Sequence, residues 1–335
     1  MARLLAIRLA AMGDVAISVP VVFSFARNYP QHTLYVLTKQ AFEPLFAEAP
    51  ANVHVLGIQL KNYDSFFGLI RLYREVLRPL KIDAVADIHH VMRSWVLDAC
   101  LWLQGARIAC REKGKKERLS LLHHRIHRPL KAYYQRFADV FAALGYPIQW
   151  DFQPLQPACP LPSDDRQWVG IAPFSAQQGK VYPLRKMKEV VGRLSELPGV
   201  RILLFGGGKA EADVLQAWAA EYPHTESLVG RYSLSEEMGI MRRLTVMLSM
   251  DSANMHMASL TGTPVLSVWG PSHPYVGFRP WGQSEENYIQ TDLPCRPCSE
   301  WGAKPCKRGD WACMEQLTVG QLVDRITLQL RKQHG

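Results

Sequence analysis

Polar and charged side chains follow the ends of several β-prone segments of this chain, and their types suit anion binding. In MDSANMHMASLTGTP, Asp251 follows the apolar run LTVMLS, and Ser252, Ala253, Asn254 and His256 begin the next predicted helix. The free N–H groups of a first helical turn attract phosphate, and an imidazole adds a donor. Asp251 alone would suit an N-cap, and a lone helical His is more often a core residue. Asn254 and His256 together favour an anion site.

A second polar loop, PFSAQQGKVYP, follows the β-prone segment WVGIA. Ser175 supplies a hydroxyl and Lys180 a point charge close to a predicted helix start. A hydroxyl, backbone N–H groups and a lysine in this order form a generic phosphate site. A solvated loop lysine is the alternative interpretation.

The glycine-rich segment FGGGKAEADVL follows a third predicted strand and begins a helix. It is not a dinucleotide fingerprint, because Glu211 occupies the position of the third glycine, so a nicotinamide dehydrogenase is disfavoured. Glu211 could accept hydrogen bonds from ribose hydroxyls. It could equally be a first-turn glutamate stabilised by the helix dipole.

An acid also follows the first β-prone segment, where Gly13 permits a backbone turn and Asp14 comes next. Ser18 and Pro20 fit the N-cap and first turn of the following helix, so Asp14 is not needed as a cap. A carboxylate at a strand end could act as a general base on a substrate hydroxyl. The alternative is a loop Asp that bonds to its own backbone.

Two series of β-prone segments, separated by helical lengths, must position these loops. This spacing predicts an α/β fold with two doubly wound parallel sheets, joined near residue 160 by the proline-rich segment DFQPLQPACPLPSDD. Ligands bind at the carboxyl ends of such strands, so a cleft between the domains is the expected site. The predicted strands are 3–9, 33–38, 53–58, 84–88, 168–172, 200–205, 226–229, 244–250 and 265–269. A terminal helix is expected over 317–330.

Bulk composition limits the class of protein. The 335 residues are 48% hydrophobic and carry a formal charge of +9, which fits a globular protein with an anionic partner. No segment approaches the roughly 20 apolar residues of a membrane span, and seven cysteines do not suggest a secreted disulfide framework, so a cytoplasmic protein is expected. No D-x-D, Walker or G-x-S-x-G motif is present, so we expect neither a cofactor nor a catalytic metal.

A basic segment from residue 111 to 136 holds nine Lys or Arg against two Glu, with leucines interleaved. Lys113, Lys115, Lys116 and Arg118 form its densest part. The pattern is typical of a surface that lies on anionic lipid or grips acceptor phosphates. A solvated loop is the alternative. A nucleic-acid-binding protein would explain the charge, but no nucleic-acid-binding motif is present.

Four cysteines near the C-terminus, Cys295, Cys298, Cys306 and Cys313, have the spacing C-x2-C-x7-C-x6-C. The first half suits a zinc knuckle, whereas the later spacings depart from common four-cysteine sites. A structural zinc site and a cluster of free or paired thiols both stay open.

Several motifs follow one another along the chain: MGDVAISVP, PFSAQQGKVYP, FGGGKAE, and D-S-x-x-M-H followed by T-G-T-P-V, together with the cysteine cluster. Their order resembles that of glycosyltransferase family 9, the heptosyltransferases of the lipopolysaccharide inner core. The resemblance spans nearly the whole chain. It implies a GT-B fold of two Rossmann-like domains facing across a cleft: an acceptor domain over 1–158 and a nucleotide-sugar domain over 159–315, with 316–335 as a terminal helix that packs back across the domains. It also implies a protein at the inner face of the inner membrane.

The implied reaction is an inverting, metal-independent transfer of heptose from ADP-heptose to a lipid A-linked sugar. Asp14 would be the base, Ser175 and Lys180 would hold the diphosphate, and Glu211 would bind ribose or sugar hydroxyls. Further implied contacts are Tyr232 beside the adenine, Asp251 on the heptose hydroxyls, and Ser252 to Asn254 with His256 on the leaving group.

Two departures from the family pattern concern the donor. Ala253 stands where the family has glycine, and its methyl group narrows the approach to the diphosphate. Ala176 replaces a second hydroxyl beside Ser175. A different nucleotide-sugar donor, or a protein that binds nucleotide-sugars without turnover, are therefore the alternatives.

Replacing Lys113, Lys115 and Lys116 by Glu is expected to weaken binding to anionic vesicles, because each cation near such a surface contributes about 1 kcal/mol. Cosedimentation with vesicles measures this effect. Unchanged binding would rule out a lipid-facing role for the segment.

Overall fold

Both halves of the chain are built around an all-parallel β-sheet, as a computed structural model that describes residues 1–332 shows. The strands are β1 (Arg3–Ile7), β2 (Thr33–Lys39), β3 (Val53–Ile58), β4 (Ala84–Asp87), β5 (Arg107–Cys110), β6 (Gln167–Ala172), β7 (Val200–Leu204), β8 (Thr225–Ser227), β9 (Val246–Met250), β10 (Val265–Trp269) and β11 (Tyr288–Gln290). The α-helices are α1 (Met12–Ala16), α2 (Val19–Asn28), α3 (Phe66–Leu72), α4 (Met92–Leu103), α5 (Lys115–Leu122), α6 (Tyr133–Ala143), α7 (Leu184–Ser195), α8 (Gly208–Glu221), α9 (Leu234–Arg243), α10 (Ala253–Leu260), α11 (Ala312–Glu315) and α12 (Val319–Lys332).

All nine predicted strands are present, with ends that agree to within two residues. The central residues of most of these strands are buried on both faces, which is why they read as continuous apolar runs. An exception is β3, an edge strand that is partly exposed along its length. Sequence patterns missed β5 and β11, which are short strands at the outer edges of the sheets and bury less apolar surface. The proline-rich segment contains no helix or strand, as predicted.

Contacts divide the chain into two units. The N-terminal unit comprises residues 1–113 and 131–153, with strand order β3-β2-β1-β4-β5. The C-terminal unit comprises 114–130 and the chain from 154 onward, with order β11-β10-β9-β6-β7-β8. The predicted domain ranges 1–158, 159–315 and 316–335 stay a prediction, and the last three residues of the third lie outside the described part of the chain.

Each sheet reverses its direction of strand addition once. In the N-terminal unit the reversal lies between β1 and β4, and in the C-terminal unit between β6 and β9. Loops that leave neighbouring strands on opposite sides of a parallel sheet open a crevice at such a point, where α/β proteins bind ligands. The loops that follow these four strands are therefore the places where functional side chains are expected.

Each unit has its own apolar core. Leu69 and Leu72 of α3 pack with Leu97 and Leu101 of α4 in the N-terminal unit. In the C-terminal unit, α12 packs on α7 and buries its apolar stripe, so the helix predicted over 317–330 is present with slightly later bounds. Within residues 1–332 no helix has both the length and the apolar character that crossing a bilayer requires.

The basic segment is shared between the units. Lys113 belongs to the N-terminal unit, whereas α5, with Lys115, Lys116 and Arg118, belongs to the C-terminal one. Arg118 forms a half-buried ion pair with Glu300 there. Its guanidinium is thus held by protein, which differs from the lipid- or acceptor-facing position expected from sequence.

Two buried acids lie close together, Asp87 at the end of β4 and Asp98 on α4. Asp87 accepts the N–H groups of His89 (2.9 Å) and His90 (2.7 Å) and the hydroxyl of Ser94 (2.7 Å). Asp98 of α4 is 7% exposed and has one carboxylate oxygen without a hydrogen-bond partner. Burial, with Asp87 beside it, raises the pKa of Asp98 to about 8, so its carboxyl group stays protonated at neutral pH.

Asp98→Asn is expected to flatten the pH dependence of stability. An unfolded Asp98 ionises near its ordinary pKa of 3.8 and the folded one near 8, so the folded state holds an extra proton and loses stability as pH rises between these values. The neutral amide removes that loss, and the variant should gain stability relative to wild type toward pH 8. Urea unfolding midpoints from pH 5 to 8 measure this, with exposed Asp324→Asn as control. Parallel curves for wild type and Asp98→Asn would contradict the shift.

Candidate functional site

A buried ion pair joins the two loops at the strand reversal of the C-terminal unit. Lys180 Nζ lies 2.7 Å from Asp251 Oδ2, and the two residues are 8% and 5% exposed. Ser272 donates its hydroxyl to the same carboxylate oxygen at 2.8 Å, and Ser175 Oγ donates to the Asp251 carbonyl at 3.1 Å. Further hydrogen bonds stabilise a buried ion pair, and here the Ser272 hydroxyl supplies one to the carboxylate. Three predicted site residues, Ser175, Lys180 and Asp251, are thus brought together.

Two glycines make room for the lysine. A Cβ added at Gly302 would lie 2.6 Å from Lys180 Cγ, and the φ of +70° at Gly302 also favours glycine. A Cβ at Gly179 would lie 2.6 Å from the Gly302 carbonyl oxygen. The cysteine-rich segment therefore packs directly on the stem of Lys180. Sequence reasoning missed this contact, for which glycine identity was the only signal.

The start of α10 differs from the simplest sequence interpretation. Ser252, not Asp251, occupies the N-cap, and its side chain accepts no first-turn N–H group. Asp251 Oδ2 is held by Lys180 and Ser272, so this carboxylate oxygen serves the ion pair and not the helix start. Ala253 and Asn254 begin the first turn, whose N–H groups are not capped by Ser252. These N–H groups are suited to an anionic ligand.

His256 is the fourth residue of α10 and is 5% exposed, so it lies one turn into the helix and not at its first residue. Its carbonyl accepts the hydroxyl of Ser259 at 2.7 Å. The helix start therefore brings backbone N–H groups and a buried imidazole into one short element. The role of His256 toward a leaving group stays a prediction.

Glu211 has a clear structural role. Its Oε2 accepts the N–H of Gly207 at 2.7 Å, one residue before α8 begins, so the carboxylate stabilises its own glycine-rich loop. The structure thus bears out the helix-start alternative, and ribose binding by Glu211 remains a prediction. Tyr232 is half-buried, and the Arg231 guanidinium lies 5.5 Å from its ring centroid.

Asp14 lies on α1, directly after β1 and Gly13, and Arg8 holds it in place. Arg8 Nη2 is 3.0 Å from Asp14 Oδ1, and Arg8 Nε donates to the Asp14 carbonyl at 3.2 Å. Arg8 Nη1 also donates to the carbonyl of Ile88 at 2.8 Å, which ties the Asp14 loop to the end of β4. Arg8 is buried, whereas 24% of the Asp14 side chain is exposed, so the carboxylate remains accessible.

Arg8 was missed as a site residue because in sequence it only interrupts an apolar run. A cation at the end of an otherwise buried strand must have a partner, and this rule could have identified Arg8 from the sequence. The hydroxyl of Ser18, the expected N-cap of α2, donates to the Val15 carbonyl at 2.6 Å and does not cap the helix.

His89 is a second residue that sequence reasoning missed. Burial and the positive charge of Arg8 lower its pKa to about 4, despite Asp87 and Asp14 nearby. The imidazole is therefore neutral at physiological pH and adds a hydrogen-bonding group without a charge beside Asp14.

The four C-terminal thiols are all free. Burial raises the pKa of Cys313 to about 11 and also raises that of Cys298, with the neighbouring cysteines contributing. Within the described residues, a set of three candidate metal-ligand atoms lying within 4.8 Å of one another occurs for Asp87, Asp98 and Cys110, not for these cysteines. The arrangement of the four thiols does not match a closed zinc site, and zinc at Cys295, Cys298, Cys306 and Cys313 stays a prediction.

The chain is similar to known proteins in both sequence and structure. Lipopolysaccharide heptosyltransferase 3 from Escherichia coli is 22% identical over 305 residues, which cover 81% of this chain and 84% of the relative. The solved structure of E. coli heptosyltransferase WaaC with ADP aligns with a TM-score of 0.68 and 20% identity over 98% of this chain and 99% of WaaC. WaaC with ADP-2-deoxy-2-fluoro heptose gives 0.67 and 19% over 97% and 99%.

These alignments run over nearly the whole length of the chains and identify the fold as GT-B, with its two Rossmann-like α/β units. The family model of glycosyltransferase family 9 (heptosyltransferase) matches residues 76–307, well over half of the chain. The match includes Lys180, Asp251 and the loops around them. The chain is therefore a glycosyltransferase and belongs to glycosyltransferase family 9.

Proposed function

We propose that this enzyme transfers heptose from ADP-heptose to a lipid A-linked acceptor of the lipopolysaccharide inner core, with inversion and without a metal. The observation that carries the proposal is the buried Lys180–Asp251 pair, which lies beside an uncapped helix start at the strand reversal of the C-terminal unit. Further support comes from the E. coli relative named a lipopolysaccharide heptosyltransferase and from the ADP and fluoro-heptose ligands of WaaC.

In the donor site, positive charge is supplied by the chain itself. The Lys180 ammonium binds the diphosphate while keeping its contact to Asp251, and Ser175 adds a hydroxyl. The N–H groups of Ser252 to Asn254 and the His256 imidazole stabilise the charge that develops on the departing ADP. Asp251, fixed by Ser272, is oriented to accept hydrogen bonds from heptose hydroxyls.

In the acceptor site, Asp14 takes the proton of the attacking hydroxyl. The new bond forms between that oxygen and the anomeric carbon as the bond to the diphosphate oxygen breaks and ADP leaves. Arg8 fixes Asp14 through one contact to its carboxylate and one to its main-chain carbonyl. Gly13, which has no side chain, leaves space for the acceptor. A neutral His89 allows Asp14 to remain the charged group that faces the hydroxyl.

Donor identity depends on three further positions. Tyr232 lies beside the adenine, Glu211 reaches the ribose or sugar with its second oxygen, and the methyl of Ala253 narrows the approach to the diphosphate. The acceptor is a phosphorylated, lipid-linked sugar, bound by Lys113, Lys115 and Lys116, and the enzyme works at the cytoplasmic face of the inner membrane. Nucleic acid is not a partner.

Asp14→Asn is expected to abolish most ADP release from ADP-heptose in the presence of a heptose-free lipid A acceptor. Loss of a general base costs about 10²- to 10⁴-fold in rate, while binding of the donor is retained. Coupled detection of ADP measures turnover, and Asp324→Asn, an exposed acid on α12, is the control. Release that survives in Asp14→Asn would reject it as the base, and no release by wild type would reject the donor.

Lys180→Met is expected to weaken ADP binding by about tenfold or more, because a charge-assisted contact to phosphate is lost. It should also destabilise the fold, since Asp251 is left buried without its cation. The double variant Lys180→Met/Asp251→Asn removes that second effect and should recover the unfolding midpoint without recovering ADP binding. Calorimetry with ADP measures affinity, with Lys332→Met, an exposed lysine at the end of α12, as control. Wild-type affinity in the double variant would exclude Lys180 from the donor site.

A further inference from the structure

Large apolar side chains are concentrated on one side of the N-terminal unit. Eleven such residues are exposed within the described part of the chain, and six of them lie on α3 and α4. We call these six the α3–α4 face: Phe66 (61% exposed), Phe67 (82%), Met92 (76%), Trp95 (48%), Trp102 (65%) and Leu103 (78%). Scattered exposed apolar residues are ordinary, but a contiguous group of this kind marks an interaction surface.

The six side chains point away from the core for a geometric reason. On α4 the exposed positions 92, 95, 99 and 102 recur every three or four residues, opposite the buried Leu97 and Leu101. On α3 the buried residues are Leu69 and Leu72, which pack in the same core as Leu97 and Leu101. On both helices, the exposed residues therefore lie on the side of the helix that faces away from this shared core.

Contacts at both ends hold the two helices side by side. Arg93 Nη2 near the start of α4 lies 3.2 Å from Asp64 Oδ1, just before α3. Beyond the C-terminal ends, Tyr73 donates its hydroxyl to Gln104 Oε1 at 3.2 Å. The exposed residues thus lie on two helices that pack against each other.

Cations surround this surface. Arg71, Arg74 and Arg78 line an open groove of about 590 Å³ together with Phe67. Lys113 Nζ lies 5.3 Å from the ring centroid of Trp95. The nearby acids are Asp64, which pairs with Arg93, and Glu75, which is 4.0 Å from Arg71. Five cations face two acids, so the rim of the α3–α4 face is positively charged.

We propose that the α3–α4 face docks the N-terminal unit onto an anionic lipid bilayer. Trp and Phe side chains enter the headgroup region and the upper acyl chains, while the arginines and Lys113 bind lipid phosphates. Long cationic side chains bury their stems and keep their charges at the phosphates. A second copy of this chain is a poorer occupant, because pairing two such faces would oppose two positive rims.

The inference rests on the proposed function in one respect, since a lipid-linked acceptor lies in such a bilayer. It also changes the view of the basic segment. Lys113 lies at the rim of the α3–α4 face, beside Trp95, whereas Lys115 and Lys116 belong to the other unit and Arg118 pairs with Glu300. Charge reversal at Lys113 alone should therefore weaken vesicle binding more than charge reversal at Lys115 and Lys116 together.

The direct test is the double variant Phe67→Ser/Trp102→Ser in cosedimentation with vesicles of phosphatidylglycerol and phosphatidylcholine. Loss of two membrane-inserted aromatic side chains should weaken partitioning by at least about tenfold. Trp150→Ser and Leu328→Ser are matched controls, because these residues are 43% and 48% exposed but lie elsewhere. Both controls should bind as wild type does, and circular dichroism verifies the fold of each variant.

Turnover with two acceptors separates this inference from the proposed function. The double variant should keep wild-type ADP release with a water-soluble, deacylated acceptor and lose rate with the acceptor embedded in vesicles. Inactivity of wild type with ADP-heptose would overturn the proposed donor but would not change the conclusion drawn from vesicle binding. Wild-type sedimentation of the double variant, or no wild-type binding to anionic vesicles, would overturn the docking surface. Self-association of wild type that the double variant loses, without vesicle binding, would assign the face to a second copy.

Discussion

The C-terminal unit depends on one buried charge pair. Removing Lys180 and Asp251 from water is costly, and the structure offsets the cost by the short ion contact, the Ser272 hydroxyl and the Ser175 contact to the neighbouring carbonyl. The same arrangement fixes two loops that leave the sheet in different directions. Because the lysine is already desolvated and positioned, the proposed contact to a phosphate would need little reorganisation, which is the condition under which a charge stabilises a transition state best.

The N-terminal unit uses the same solution at its own strand reversal. Arg8 is the buried cation, and Asp14 is the partly exposed anion that it positions. Burial lowers the pKa of the Arg8 guanidinium, whereas Asp14 raises it, so the ion pair also stabilises the charged form of Arg8. In both units, a long cationic side chain from one element fixes a carboxylate on a neighbouring loop. The two units thus position a carboxylate by the same physical means.

The sequence predicted the α/β layout and most of the loops that hold functional side chains, because parallel strands buried on both faces leave long apolar runs. It could not predict which polar atoms meet. Asp251 looked like a helix cap and instead holds Lys180 and Ser272, and Glu211 binds its own loop at Gly207. The two contacts of Asp251 join residues 71 and 21 positions apart, and the contact of Glu211, four positions apart, depends on one rotamer, so no local pattern encodes them. The edge strands β5 and β11 were missed because short, half-exposed strands carry little periodicity.

The contact between Gly302 and the stem of Lys180 has an evolutionary consequence. Surface loops usually tolerate substitution, but Gly302 is buried although Trp301 and Ala303 beside it are exposed. Any side chain at 302 would collide with the methylenes of the lysine and strain its own backbone, so the buried ion pair with Asp251 constrains a residue far along the chain. A library of loop variants that preserved every cysteine but randomised 302 would displace the Lys180 ammonium group from Asp251.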